Sequence, residues 1–192
     1  QVDFVTEGVG HFEIALEVIQ TKGGRLLGEG MLVLGTGNGP DLHALAFDIL
    51  VAERSARLGL PEIVFNLFPG MGAYSFLLRR VGRKMAEQFI LEGKIYTAEE
   101  LYELGIVDIL AEDGQGEAAI IDYCQRNRNR FAAERAVYRA RRAADPVELD
   151  ELMRITTVWA ETAMTLTDAD VRKMERLADA QERRIRRSLS PI

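Results

Sequence analysis

Residues 59 to 78, Gly-Leu-Pro-Glu-Ile-Val-Phe-Asn-Leu-Phe-Pro-Gly-Met-Gly-Ala-Tyr-Ser-Phe-Leu-Leu, hold the residue types best suited to chemistry. Glu62 is the one carboxylate there, set among Leu60, Ile63, Val64 and Phe65. Apolar neighbours disfavour the charged form of a carboxyl group and raise its pKa toward the range where it exchanges protons at neutral pH. Pro69 to Gly72 then form a Pro-Gly-x-Gly turn that opens an apolar helical run. Backbone N–H groups at such a helix start suit an anionic or carbonyl oxygen. A plainer reading stays open: Glu62 caps or pairs on a surface turn, and the glycines only redirect the chain.

Other candidates are weaker. Met31 to Leu34 followed by Gly35-Thr36-Gly37-Asn38-Gly39 suggests a strand and a nucleotide-binding turn. The third glycine of that fingerprint would fall at Pro40, so it fails. His11 and His43 are the only histidines and read as surface or packing residues. No ligand cluster supports a metal, and no cofactor is expected. Arg126, Arg128, Arg130, Arg135, Arg139, Arg141 and Arg142 make a basic stretch with one acid, Glu134. It reads either as a solvated helix face, with Phe131, Val137 and Tyr138 on the core side, or as a dock for an acidic partner or a phosphate.

The elements that must position these residues are legible in outline. Phe12 to Ile19 and Arg25 to Leu34 read as strands joined by a hairpin-like turn at Lys22-Gly23-Gly24, and Ala44 to Ala52 as a buried strand. Residues 73 to 92 read as a helix ended by Gly93, with Ala73, Phe76, Leu77, Val81, Met85, Phe89 and Ile90 toward the core. Thr97-Ala98-Glu99-Glu100 is a capping box, Gly105 ends that short helix, and Ile106 to Leu110 is a short strand. Three long helices follow over 115–142, 146–165 and 168–187, the last two opened by Asp145-Pro146 and Thr167-Asp168. Strands first and helices last predict an α/β or α+β layer fold.

With 192 residues, 47% of them hydrophobic, the chain can bury a sizeable core as one domain. A net charge of −6 argues against general nucleic-acid affinity. Cys124 is alone, which excludes an intrachain disulfide and suits a cytoplasmic setting. Nothing reads as a membrane span or signal peptide. A first residue of Gln rather than Met is consistent with a fragment or processed product.

Residues 43 to about 187 resemble the crotonase (enoyl-CoA hydratase/isomerase) superfamily, and within it the diffusible-signal-factor synthases. The resemblance rests on Ala44 to Glu53, Gly59-Leu60-Pro61-Glu62 and Phe68-Pro69-Gly70-Met71-Gly72-Ala73-Tyr74-Ser75-Phe76. It continues in Leu91-Glu92-Gly93, Leu104-Gly105-Ile106-Val107-Asp108, Met153-Arg154-Ile155-Thr156 and Trp159. It implies a crotonase-like ββα spiral, truncated at its N-terminus, over 1–112, and a helical C-terminal region over 113–192 that packs subunits into trimers. It also implies an acyl-CoA or acyl carrier protein thioester as partner, with dehydration and thioester hydrolysis as the chemistry and quorum sensing as the setting.

On this resemblance Glu62 is the second family glutamate and the catalytic acid/base. Gly39 is an oxyanion-hole donor, and Phe68, Gly70, Met71, Gly72 and Tyr74 bind substrate. Leu42 stands where relatives have their first glutamate, and Pro40 replaces a glycine. The resemblance therefore implies either an enzyme working with one carboxylate or a catalytically impaired subunit that binds acyl thioesters or partners.

Overall fold

The computed structural model describes residues 14–16, 30–34 and 45–189. Its centre is a four-stranded sheet in the order β1-β2-β3-β6. Strand β1 (Ile14–Leu16) runs antiparallel to β2 (Gly30–Leu34), which pairs in parallel with β3 (Ile49–Glu53) through Met31 opposite Ile49. On its other edge β3 pairs in parallel with β6 (Ile109–Ala111). All five residues of β3 are buried, as expected of a parallel strand covered on both faces.

Because side chains alternate across a strand, β3 feeds two cores. Leu50 and Ala52 join the larger core with Leu58, Leu60, Leu77, Phe89, Leu101 and Ile106. Ile49 and Val51 face the other way, with Ala111 and Ile120. A second ribbon, β4 (Arg57–Gly59) with β5 (Ile95–Thr97), is antiparallel. It approaches so closely that a Cβ on Gly59 would lie 2.3 Å from the Lys94 carbonyl oxygen.

Helix α1 (Ala73–Glu92) begins and ends where the sequence places it, with Gly93 left-handed at φ 57° as its terminator. Its interior departs from the expected single helix. Gly82 adopts φ 77° and ψ 164° and breaks the axis, a conformation that a residue without Cβ reaches at little cost. The capping box before α2 (Ala98–Glu103) is present: Thr97 Oγ1 accepts the Glu100 N–H and the Glu100 carboxylate accepts the Thr97 N–H.

Five expectations need correction. The strand expected over Ala44 to Ala52 begins only at Ile49. Residues 45–48 form a turn because the Phe47 carbonyl accepts a hydrogen bond from Arg80 and Asp48 pairs with Arg141 and Arg142. The strand expected at Ile106 to Leu110 is displaced to Ile109–Ala111, since the Ile106 and Val107 N–H groups close onto the Leu101 carbonyl. The long helix over 115–142 is two helices, α3 (Gly116–Asn127) and α4 (Phe131–Ala144). They part at Asn127, whose buried amide oxygen accepts two bonds from the Arg130 guanidinium.

That break rotates α4. Phe131 and Val137 are 41% and 64% exposed rather than on the core side, while Tyr138 turns inward. Helix α5 (Leu149–Ala163) starts later than residue 146, because Arg79 draws the Asp145 and Pro146 carbonyls to itself. Helix α6 (Asp168–Leu189) opens as expected, with Thr167 and Asp170 bonding reciprocally. The expected hairpin strands overlap β1 and β2, and their turn lies outside the described residues.

Candidate active site

Glu62 sits in a 3-10 turn, Pro61–Phe65, which joins β4 to the Pro69–Gly72 corner. Proline at the first position fixes φ and gives up an N–H that would be unpaired in any case. Asn66 ends the turn in the left-handed conformation, and the Leu67 N–H closes back on the Glu62 carbonyl. The turn is wedged against the end of α1. A Cβ on Gly93 would lie 2.6 Å from Ile63 Cγ2, so only glycine lets the two elements meet there. Helix α6 packs on the same turn.

This lodging decides the electrostatics. Glu62 Oε2 is buried and accepts no hydrogen bond among the described residues. Burial pushes the carboxyl above the usual carboxylate range, and a bond from its own backbone N–H offsets this only in part. Glu53 is the contrast. As a residue it is the more deeply buried of the two, yet its Oε1 accepts the Gly116 N–H at 3.0 Å and caps the start of α3. One carboxylate serves the fold; the other is left with an unused lone pair and a strengthened affinity for a proton.

The glycine corner lies next along the chain. Met71 and Gly72 are left-handed, at φ 53° and 80°, and the Ala73 N–H closes on the Gly70 carbonyl at 3.1 Å. Gly72 brings no capping side chain to α1. Helix α5 covers this corner. A Cβ on Gly70 would lie 3.3 Å from Trp159 Nε1, and one on Gly72 3.1 Å from Leu152. Phe68 and Tyr74 are partly buried against the larger core, and the Tyr74 hydroxyl bonds Glu87. Met71 is 68% exposed, on the outside of the corner.

The structure therefore places Glu62, Phe68, Gly70, Met71, Gly72 and Tyr74 on one continuous segment between β4 and the first turn of α1. Gly39, Leu42, Pro40 and His43 lie outside the described residues. Sequence reasoning missed Arg79. Its guanidinium grips both oxygens of Glu151 at 2.8 and 2.7 Å and so holds α5 over the corner. The signal was an arginine on α1 and an acidic first turn on α5, a pairing that sequence separation hides.

Comparison with known proteins fits this geometry. Over 71 residues the chain is 39% identical to the 2,3-dehydroadipyl-CoA hydratase of Escherichia coli, covering 36% of this chain and 28% of that protein. Over 97 residues it is 37% identical to the mevalonyl-coenzyme A hydratase of Beauveria bassiana, covering 50% of this chain and 31% of that one. The matches thus span under a third of either relative. The crystal structure of an enoyl-CoA hydratase from Mycobacterium avium subsp. paratuberculosis shares the fold, with a TM-score of 0.58 at 24% identity over 77% of this chain and 60% of that one. A family model described as enoyl-CoA hydratase/isomerase matches residues 33–184. The chain belongs to the enoyl-CoA hydratase/isomerase family.

Proposed function

We propose that this protein dehydrates a 3-hydroxyacyl thioester, carried on coenzyme A or an acyl carrier protein, in the manner of the diffusible-signal-factor synthases. Glu62 takes the proton from the carbon next to the carbonyl and delivers it to the departing hydroxyl, so that a 2-enoyl thioester and water form. Gly39, by its place in the glycine-rich run Gly35 to Gly39, is the N–H donor assigned to the thioester oxygen, where enolate charge develops. Phe68, Gly70, Met71, Gly72 and Tyr74 border the acyl group. Hydrolysis of the product thioester, adding water at the carbonyl carbon and releasing the thiol, would yield a free cis-2-enoic acid suited to quorum sensing. Residues 1–112 form the catalytic part and 113–192 the helical part, in a cytoplasmic homotrimer. Exposed Leu149, Met153, Val158 and Met164 on and after α5 support self-association, since such apolar side chains favour a partner surface.

The observation that carries the reading is the buried Glu62 Oε2, which has no hydrogen-bond partner among the described residues. Glu62→Gln should abolish formation of the unsaturated thioester, followed by its ultraviolet absorbance, with the circular dichroism unchanged. Undiminished turnover would remove Glu62 from the mechanism. Leu42 in place of the first family glutamate favours a second reading, a subunit that binds acyl thioesters without converting them. If Leu42→Glu gains turnover where the parent has none, that second reading holds.

A further inference from the structure

The opposite face of the sheet carries a feature that the chemistry at Glu62 does not use. At the corner where α3 meets α4 lies a hollow of about 430 Å³ lined by Tyr123, Arg126, Asn127, Asn129 and Arg130. Helix α3 reaches the sheet through Ile120, on the side of Ile49 and Val51, whereas the 3-10 turn of Glu62 packs with α1 on the other side. The two sites are therefore separated by β3.

The way the arginines are held decides what the hollow can take. Arg130 is gripped by Asn127 Oδ1, at 3.0 Å from Nε and 2.6 Å from Nη2. Asn127 is itself only 5% exposed, so, among the described residues, the guanidinium is fixed in place by a neutral group rather than by a carboxylate. Arg141 and Arg142 differ: both pair with the Asp48 carboxylate. Arg126 pairs with Asp122 on an exposed helix face, a bond that a stronger anion can displace. Tyr123 also lines the hollow, its hydroxyl bonded to Glu134 and its side chain packed in part against the smaller core. All this positive charge is concentrated in a chain whose net charge is −6.

We propose that this hollow binds an organic diphosphate of nucleotide size, its phosphates on Arg130 and Arg126 and its ring system against Tyr123. Arginine forks match phosphate oxygens in pairs, and a guanidinium already oriented loses little freedom on binding.

Calorimetric titration at low salt with ADP, inorganic pyrophosphate and adenosine tests this. ADP should bind saturably and more tightly than pyrophosphate, and adenosine should not bind. Arg130→Gln should weaken ADP by about tenfold to a hundredfold, the range of one charge-assisted hydrogen bond. Asp122→Asn should tighten it by freeing Arg126. Arg139→Gln, on the same basic stretch but outside the hollow, should change it by less than about twofold, the size of a screened surface charge. Absence of saturable ADP binding, or equal losses in Arg130→Gln and Arg139→Gln, overturns the site. Equal affinity for ADP and pyrophosphate overturns the part assigned to Tyr123.

Discussion

The two halves of the described chain are held together by different forces. From β3 to β6 the protein is dense: Leu50, Leu58, Leu60, Leu77, Phe89, Leu101 and Ile106 are almost wholly out of water. Helices α4 and α5 bury no residue at all. They are tied down by ion pairs, Arg79 with Glu151 and Arg141 and Arg142 with Asp48, and by Trp159 and Leu152 resting on the glycine corner. The first half folds by removing apolar surface from water, while α4 and α5 are docked by polar clamps together with a few half-buried side chains such as Tyr138, Leu152 and Trp159. The candidate site lies where the clamped half covers the dense one, so its shape depends on both.

The widest gap between the halves should appear when each loses its main support. Phe89 stacks on Tyr96 with ring centroids 4.6 Å apart, at the centre of the larger core. Phe89→Ala should cost about 3–5 kcal/mol, through lost transfer energy and the cavity left behind. Urea denaturation measures it, and a loss below about 1 kcal/mol would mean the core repacks and is less dense than its burial indicates.

Arg79→Ala attacks the other half. Its side chain is 18% exposed and its removal leaves Glu151 without its bidentate partner. The expected cost is about 1–2 kcal/mol, smaller than for a fully buried pair because water still reaches the site. The decisive measurement is amide hydrogen exchange. Protection should fall in α5 while β3 and α1 keep theirs; a uniform loss would show that the two halves unfold as one.

The same division explains how far the sequence could be read. The caps of α1, α2 and α6 were legible because Gly93, Thr97–Glu100 and Thr167–Asp170 act locally, within a few residues. Glu62 was legible as a candidate because Leu60 and Pro61 announce its turn and apolar residues surround it. What could not be read depends on distant partners. Arg80 pulls Phe47 out of the strand, Asn127 splits one helix into two, and Arg79 shifts the start of α5. Gly82 was a visible signal passed over, since a glycine inside a helical pattern marks a position where the axis can break.

The subtlest prediction concerns Glu62 itself, at the seam between the halves. Its carboxyl is pushed upward by burial, so the folded protein holds that proton more tightly than the unfolded chain does. Below the ordinary carboxylate range both states are protonated and the group carries no penalty. As pH rises through that range the unfolded chain ionises first, and stability is lost until the folded group has ionised as well. Gln at this position cannot ionise. Glu62→Gln should therefore gain stability over the parent progressively from about pH 4 upward, with the difference level above the raised folded value. Denaturant midpoints across pH check this. A pH-independent difference would mean that the carboxyl titrates alike in the folded and unfolded chain, and a variant that becomes less stable as pH rises would mean that the carboxylate is ionised and well partnered. If the gain is seen together with loss of turnover, the fold is sacrificing stability at Glu62 for the sake of proton transfer, as expected where a carboxylate is kept for chemistry rather than for structure.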